Sequence, residues 1–279
     1  MAQEQTQQAT GLQLFNKTIT NPKTQEYLAQ VLGERKGSFV NNLTALVANN
    51  LMLQECEPLT VMFAAMKATA LDLPLDNSLG FAYVLPYRDN KRGVSVAQFQ
   101  LGYKGYKQLA LRTGQFAVIP RATDVREGEL VSVNRLTGEC EFKFIEDEEE
   151  RESKTIIGFV SYFKLMNGAE STLYMTVKEL EKHAMRYSQS YRSTNPKTKA
   201  MSPWTTDFAT MACKTVTKLN LSKNAPLSVE LRDAISADQS VMFKQNEYTY
   251  VDNDQSSFEL DMAKAQEVAE KFGEFSFEG

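Results

Sequence analysis

The segment QLGYKGYKQLALRTG, residues 100–114, places cationic, amide and tyrosine side chains at helical spacing. At 100° per residue, Lys104, Gln108 and Arg112 fall on one side of a helix. Cations and amides are side chains with which proteins hold DNA phosphates without reading the base sequence. The tyrosines fall on a separate apolar arc bordered by Lys107, where their rings can pack inward. The segment therefore predicts one wall of a nucleic-acid groove, and the simpler alternative is an amphipathic helix with a solvated cationic face.

Lysines recur further along the chain, in WTTDFATMACKTVTKLNLSK, residues 204–223. Lys214 and Lys218 lie one helical turn apart, where like charges cost roughly 0.2–0.5 kcal/mol. An anion bound between these two lysines would account for the placement. Lys223 follows at the helix end, where the helix dipole favours a cation in any case. Trp204 opens this helix, and we expect it to anchor the core rather than to stack on a base.

The predicted DNA contacts come from these two helices, from neighbouring strands and from the basic turn RDNKRG, residues 88–93. That turn is expected to insert at the groove or to bridge protomers. The predicted DNA-binding residues are Lys104, Lys107, Arg112, Gln100, Gln108, Tyr103, Arg88, Lys91, Arg92, Arg121, Lys214, Lys218 and Lys223. We expect no catalytic residue, no metal ligand and no required cofactor, with Mg²⁺ at most modulating DNA binding.

Catalytic chemistry has little support in the sequence. His183 is the one histidine and has Lys182 and Arg186 as neighbours, so we expect a solvent-exposed helix residue rather than a catalytic base. The pattern G-x-x-x-x-G-K-[ST] is absent from the sequence, which excludes an ordinary P-loop ATPase. The acidic run EDEEERE, residues 146–152, is expected to be a solvated loop. A metal-dependent DNA nuclease that uses this acidic run is the alternative function.

Charge is unevenly distributed along the 279 residues, whose formal net charge is −4. Residues 233–279 contain eleven acidic and three basic residues, so the remainder of the chain is net positive. A basic body followed by an acidic tail suggests a polyanion-binding core and a separate partner-binding end. The polar N-terminus and the lack of an apolar run of ~18 residues predict a cytoplasmic protein without a membrane span. Cys56, Cys140 and Cys213 are scattered and are expected to be free thiols.

The rest of the pattern predicts an α+β organisation. Helical spacing precedes residue 80, strand-like segments follow as far as residue 175, and a capping box at Thr176 and Glu179 opens the next helix. Asn167-Gly168 is a hairpin signal within the strands. The polar and basic segment 188–203 is expected to be a mobile loop. The predicted parts are a flexible arm (1–20), a main domain (21–243), and an acidic linker with a C-terminal partner-binding tail (244–279).

Three motifs occur in order within residues 55–235: LGFAYVLPY, AQFQLGYKGYKQLALRTG and W(x)3F(x)2MA(x)KT(x)5LSK(x)APLSVE. Their sequence and spacing closely resemble the RecT family of phage and prophage recombinases. The resemblance implies a non-catalytic, ATP-independent protein of homologous recombination that coats single-stranded DNA and pairs it with its complement. It makes residues 21–243 the expected DNA-annealing and oligomerisation domain. Because this family is similar to the Redβ and Rad52 annealing proteins, the expected fold is an antiparallel β-sheet with a backing helix (a Rad52-like annealing core), flanked by N-terminal and C-terminal helices.

The resemblance also implies partners. Single-stranded DNA and the annealed duplex are the expected ligands, and other copies of the chain form a ring or a helical filament. A 5′→3′ exonuclease and the single-strand DNA-binding protein of a bacterial host are expected protein partners. Two further alternatives are weaker. GYKG at 102–105 matches the GXXG of RNA-binding KH domains but follows a predicted strand, and a phage scaffolding protein would not need clustered basic segments.

Overall fold

The computed structural model describes residues 2–76, 78–244 and 247–249. These residues form a mixed α+β fold with small antiparallel sheets, as the sequence predicts. They fall into two units: one runs to Leu101 and resumes at Ser236, and the other spans Gly102–Ile235. The segment predicted as one annealing domain is therefore divided between two units, because strands formed after Ser236 complete the sheet that begins before Leu101.

Several helices begin at side chains that accept hydrogen bonds from otherwise unpaired backbone N–H groups. Asp207, for example, accepts from the N–H of Thr210. The predicted capping box is confirmed, since Thr176 and Glu179 each accept from the other's backbone N–H. The helices are α1 (Ala2–Ile19), α2 (Pro22–Leu32), a 3₁₀ turn (Gly33–Arg35), α3 (Lys36–Ala48), α4 (Leu51–Gln54), α5 (Pro58–Ala70), α6 (Tyr103–Arg112), α7 (Glu148–Ser153), α8 (Val177–Tyr187), α9 (Pro196–Ala200), α10 (Pro203–Thr206), α11 (Phe208–Asn224) and α12 (Val229–Ala237).

The strands pair antiparallel in every sheet. They are β1 (Ala82–Asp89), β2 (Val94–Leu101), β3 (Phe116–Arg126), β4 (Leu130–Val133), β5 (Cys140–Phe142), β6 (Ile156–Leu165), β7 (Glu170–Thr176), β8 (Ser240–Lys244) and β9 (Glu247–Thr249). The first unit contains a sheet of order β1-β2-β8-β9, and the second contains the sheet β3-β6-β7 and the β4-β5 hairpin. The predicted hairpin turn at Asn167-Gly168 joins β6 to β7, with Gly168 at φ +89°.

Residues 1–20, for which the sequence predicts a flexible arm, include helix α1. Phe15 and Ile19 lie one helical turn apart and are only 1% and 2% exposed. Gly11 lets the helix approach α4 closely, since a Cβ at this position would lie 2.7 Å from the carbonyl oxygen of Gln54. The pattern is easily missed because the two buried apolar residues stand among glutamine, threonine and asparagine, so the helical period is weak.

The core of the second unit lies on one face of the β3-β6-β7 sheet, where α8 and α11 cover it. Phe159 from β6 packs there with Leu180 from α8 and Val216 from α11, all buried. Trp204 is 5% exposed in the same cluster, so the expectation that it anchors the core is confirmed. The predicted sheet with a backing helix is therefore present in this unit, and α11 is the backing helix.

The segment expected to be a mobile loop, residues 188–203, contains regular structure. Pro196 and Pro203 each occupy the first position of a short helix, α9 and α10, where a missing N–H costs nothing. The predicted acidic tail, residues 244–279, lies outside the described residues apart from Lys244 and β9.

Candidate nucleic-acid interface

Helix α6 contains most of the segment QLGYKGYKQLALRTG, residues 100–114. Tyr106, Leu109 and Ala110 are at most 2% exposed, whereas Lys104 and Arg112 are exposed on the opposite side. The buried side packs on β3 and on α11 within the second unit. The predicted amphipathic geometry is confirmed, and it presents two cations to solvent from a helix whose position is fixed by its apolar arc.

Lys107 and Tyr103 form a pair at the rim of this helix. The Lys107 ammonium lies 4.8 Å from the centroid of the Tyr103 ring, and both side chains are half-buried. A cation over a tyrosine face is attracted by the ring quadrupole. The pair therefore holds a positive charge close to the exposed side of α6, next to the half-buried Gln108.

The three predicted lysines of α11 differ in accessibility. Lys214 is only 9% exposed, Lys218 is half-buried and Lys223 is exposed. Helix α11 is enclosed by α6 and by the three strands of the sheet, so its middle turns have little open surface. Of the three, Lys223 at the open C-terminal end of the helix has the accessibility that a phosphate contact needs.

Four of the predicted residues lie in the first unit. Arg88, Lys91 and Arg92 are exposed at the β1–β2 turn, and Gln100 is half-buried in β2. The turn is shaped by Asp89, whose carboxylate accepts from the backbone N–H groups of Lys91 and Arg92. The Arg92 guanidinium is also engaged, since it donates to both carboxylate oxygens of a glutamate on another element. That partner is Glu57, at 2.7 and 3.1 Å.

A cleft of about 1130 Å³ lies between the free face of the β3-β6-β7 sheet and the β4-β5 hairpin. Because side chains alternate along a strand, β6 directs Val160 and Tyr162 to the cleft and Phe159 to the core. The sheet register places Arg121 beside Tyr162, and Tyr162 beside Thr172. Predicted residues Arg121 and Lys223 both line this cleft.

Aromatic rings line the same cleft. Phe142 and Phe144 stack with their centroids 5.6 Å apart, and Tyr174 meets Phe142 edge-on at 6.1 Å. Phe144 is 45% exposed, so one face of this cluster is open to a ligand. These aromatic residues are not among those predicted from the sequence. The alternating aromatics of ECEFKFI were a signal, but the partner ring is contributed by a strand some thirty residues away.

Charge in the cleft is mixed. The cations Arg121, Arg135 and Lys223 line it together with the acids Glu139 and Glu170. The Tyr162 hydroxyl donates to Glu170 at 2.5 Å. This hydrogen bond, followed by the nearby Lys164 ammonium, lowers the pKa of Glu170. The same hydrogen bond raises the pKa of Tyr162. Glu170 therefore stays ionised, so the cleft presents both positive and negative side chains to a ligand.

The acidic run 146–152 has structural contacts. Asp147 caps α7 by accepting from the N–H of Glu150. Arg151 donates to Glu129 at 2.7 Å and lies 3.2 Å from Asp124. Residues 146–152, which the sequence predicts to be a solvated loop, are thus in part a short helix. Across the described ranges, no three His, Cys, Asp or Glu side chains are grouped so that they could hold a metal ion.

His183 is not the solvent-exposed residue that its charged neighbours in sequence predict. It is half-buried, with its ring 4.5 Å from the Tyr187 centroid and 6.2 Å from the Trp204 centroid. Burial, followed by repulsion from Lys218 and Arg186, lowers the pKa of His183 to about 4. The prediction was wrong because Trp204, twenty-one residues later in the chain, packs over this part of α8.

Comparison with known proteins places this geometry in a family. The model of the RecT family matches residues 37–253, which is most of the chain. The chain belongs to the RecT family. This membership implies single-stranded DNA binding and single-strand annealing in DNA recombination, and proteins of the family are generally not catalytic enzymes.

Two curated relatives support the assignment to the RecT family. The uncharacterized protein YqaK of Bacillus subtilis (strain 168) is 41% identical over 217 residues, which cover 78% of this chain and 69% of that protein. Protein RecT of Escherichia coli (strain K12) is 29% identical over 250 residues, which cover 84% of this chain and 87% of that protein. Within the described residues, no helix is long and apolar enough to cross a membrane.

Proposed function

We propose that this RecT-family protein anneals complementary DNA single strands without ATP, and that it does so as an oligomer. The observation that carries the proposal is helix α6. The family-like motif folds into a helix with a buried apolar arc and with Lys104 and Arg112 exposed, as a sequence-independent phosphate contact requires.

The chemistry of annealing fits these groups. Two DNA strands repel each other, and cations that hold their phosphates offset this repulsion. Base pairing supplies the specificity, so the protein needs to hold backbones and leave base edges free. In the proposed complex, Lys104 and Arg112 contact phosphates along α6, while Arg121 and Lys223 contact phosphates at the cleft. The Phe144 ring stacks on a base, since stacking tolerates every base.

Oligomerisation multiplies weak contacts, because each bound protomer raises the effective concentration of the strand for its neighbours. A ring and a helical filament both provide this. The N-terminal helices are proposed subunit contacts.

The acidic tail is the proposed site for partner proteins, among them a 5′→3′ exonuclease and the host single-strand DNA-binding protein, in the bacterial cytoplasm. Mg²⁺ is proposed only to modulate DNA binding by screening phosphates.

In the test, two complementary oligonucleotides, one with a fluorescence donor and the other with an acceptor, are added one after the other to the protein without ATP. We expect duplex formation faster than the spontaneous rate, in EDTA as well as in Mg²⁺, and strands of unchanged length. Electron microscopy of the same mixture reports the ring or filament. Shortened strands in Mg²⁺ or Mn²⁺ would instead support the nuclease alternative, and annealing at the spontaneous rate would contradict the proposal.

A further inference from the structure

A second basic surface lies in the segment from α8 to α10. From Lys182 to Thr206 the sequence has five Lys or Arg residues and no Asp or Glu. All five are exposed: Lys182, Arg186, Arg192, Lys197 and Lys199. We call these five side chains the α8–α10 basic surface. Such a run without a single acid concentrates positive potential on one part of the second unit.

The backbone that carries this surface is held in place by buried and polar contacts. Trp204 is 5% exposed and its ring meets Tyr191 at 6.5 Å. The hydroxyl of Ser190 donates to that of Ser202, which is fully buried, at 3.0 Å. Asn195 caps α9 by accepting from the N–H of Lys197. A surface that is ordered before binding loses less conformational entropy when a ligand arrives.

Several of the cations are themselves positioned. The Arg186 guanidinium lies 5.2 Å from the Tyr187 ring centroid, and the Lys199 ammonium lies 5.3 Å from that of Tyr191. Arg192 donates from Nη1 to the carbonyl of Arg186 at 3.2 Å, which ties the end of α8 to the turn that follows. Guanidinium and ammonium groups donate hydrogen bonds to nucleic-acid phosphates, and tyrosine rings stack on bases. Both kinds of group lie close together here.

This surface is separate from the cleft. Helix α8 packs on β6 and β7 over the face of the sheet that carries Phe159. Val160 and Tyr162, on the opposite face, line the cleft. The cleft and helix α8 therefore lie on opposite faces of the same sheet, and one ligand seated in the cleft does not account for the α8–α10 basic surface.

We propose that the α8–α10 basic surface binds the phosphate backbone of single-stranded DNA, as a contact additional to α6 and the cleft. The proposal rests on the proposed annealing function. A competing ligand of the same charge is an acidic peptide, of which residues 250–279 of this chain are an example. DNA is favoured because tyrosine, serine and asparagine alternate with the cations here, and these residue types donate to phosphate and stack on bases.

The test compares the full-length wild type with Arg192→Gln/Lys197→Gln/Lys199→Gln in fluorescence anisotropy with a labelled oligothymidylate over a range of NaCl concentrations. Each phosphate contact with a single strand contributes about 0.7 to the slope of log K against log salt, so we expect the slope to fall by about 2. Affinity near about 0.1 M NaCl should fall roughly tenfold to a hundredfold. The control Lys154→Gln/Arg232→Gln removes two charges from sites outside the proposed DNA and subunit contacts and should keep the wild-type slope.

Each outcome decides the matter. An unchanged slope and affinity in the triple variant would overturn the inference, and a higher affinity would assign the surface to an acidic peptide instead. The single variant Lys197→Gln, with an expected slope change of about 0.7, serves if the triple variant does not fold. The Trp204 emission maximum reports whether the segment stays packed. A slope change in the triple variant, together with a wild type that binds DNA but does not anneal it, would keep this inference and reject the proposed function. A wild type without affinity for DNA would reject both.

Discussion

Arg151 and Glu129 form an ion pair with a nitrogen–oxygen distance of 2.7 Å in which the Glu129 side chain is fully buried. Burial by itself raises the pKa of Glu129. Hydrogen bonds from Arg151 and from the backbone N–H groups of Arg126 and Ile145 outweigh burial, so the pKa is lowered. The pair fastens the acidic helix α7 to the corner between β3 and β4. An arginine within the acidic run is thus a structural residue, although its neighbours in sequence are exposed.

Replacing Arg151 by Met should destabilise the second unit. The substitution leaves a buried carboxylate without its cation, which typically costs about 3–5 kcal/mol in the free energy of unfolding. Urea unfolding followed by circular dichroism measures this cost. The double variant Arg151→Met/Glu129→Gln should recover part of it. Lys154→Met is the control, because its exposed pair with Glu150 at 3.7 Å should be worth less than about 1 kcal/mol. Equal losses for Arg151→Met and Lys154→Met would contradict the assignment.

His183 should make stability depend on pH below neutrality. Its folded-state pKa of about 4 lies below its ordinary value of 6.5, so the unfolded chain takes up a proton first as the pH falls. The contribution of neutral His183 is fully present above pH ~6.5 and is lost as the pH falls toward ~4. Between about pH 7.5 and 5 the loss should be on the order of 2 kcal/mol. The free energy of unfolding of His183→Gln should lack this pH dependence in that window. A wild-type pH profile in the variant would contradict the role of His183.

Lys104 and Arg112 should contribute to DNA affinity and little to folding. The variant Lys104→Gln/Arg112→Gln should anneal more slowly and bind oligothymidylate with a salt slope lower by about 1.4. Its melting temperature should stay near that of the wild type, because both side chains are exposed. The control Lys154→Gln/Arg232→Gln removes the same charge from sites outside the proposed DNA and subunit contacts. Unchanged affinity in a folded Lys104→Gln/Arg112→Gln protein would remove α6 from the interface.

Gly158 should not tolerate a side chain. A Cβ at this position would lie 2.5 Å from the carbonyl oxygen of Met175 and 2.6 Å from the Tyr174 hydroxyl oxygen. Gly158→Ala should therefore lower the free energy of unfolding by about 1–3 kcal/mol and displace the Tyr174 ring from the cleft. Gly37→Ala in α3 has open space around the new methyl group, so it should be neutral or stabilising by up to about 1 kcal/mol. A thermal melt of both variants separates the two expectations.

The sequence predicts what depends on neighbours within a few residues. The buried arc of α6, the Thr176–Glu179 capping box and the Gly168 turn follow from local spacing, and the structure has all three. Burial created by distant segments was not predictable. Lys214 is enclosed by strands far from it in sequence, and His183 is covered by Trp204. The cleft is formed by β3, the β4-β5 hairpin, β6, β7 and the end of α11. A local sequence pattern does not indicate that these distant elements come together.

Phe144 offers the most direct test of base stacking in the cleft. It is 45% exposed beside Phe142, so Phe144→Ala should leave the fold nearly unchanged. Loss of one stacked base typically costs about 1–3 kcal/mol of binding free energy, which corresponds to a roughly 5- to 150-fold weaker affinity for single-stranded DNA. Leu136→Ala is the matched control, because Leu136 is 94% exposed at the tip of the same hairpin and is not among the residues that line the cleft. Stacking also predicts that the salt slope stays at its wild-type value in Phe144→Ala, since no phosphate contact is removed. If Phe144→Ala keeps the wild-type affinity for single-stranded DNA, or loses no more affinity than Leu136→Ala, the bases do not stack on Phe144.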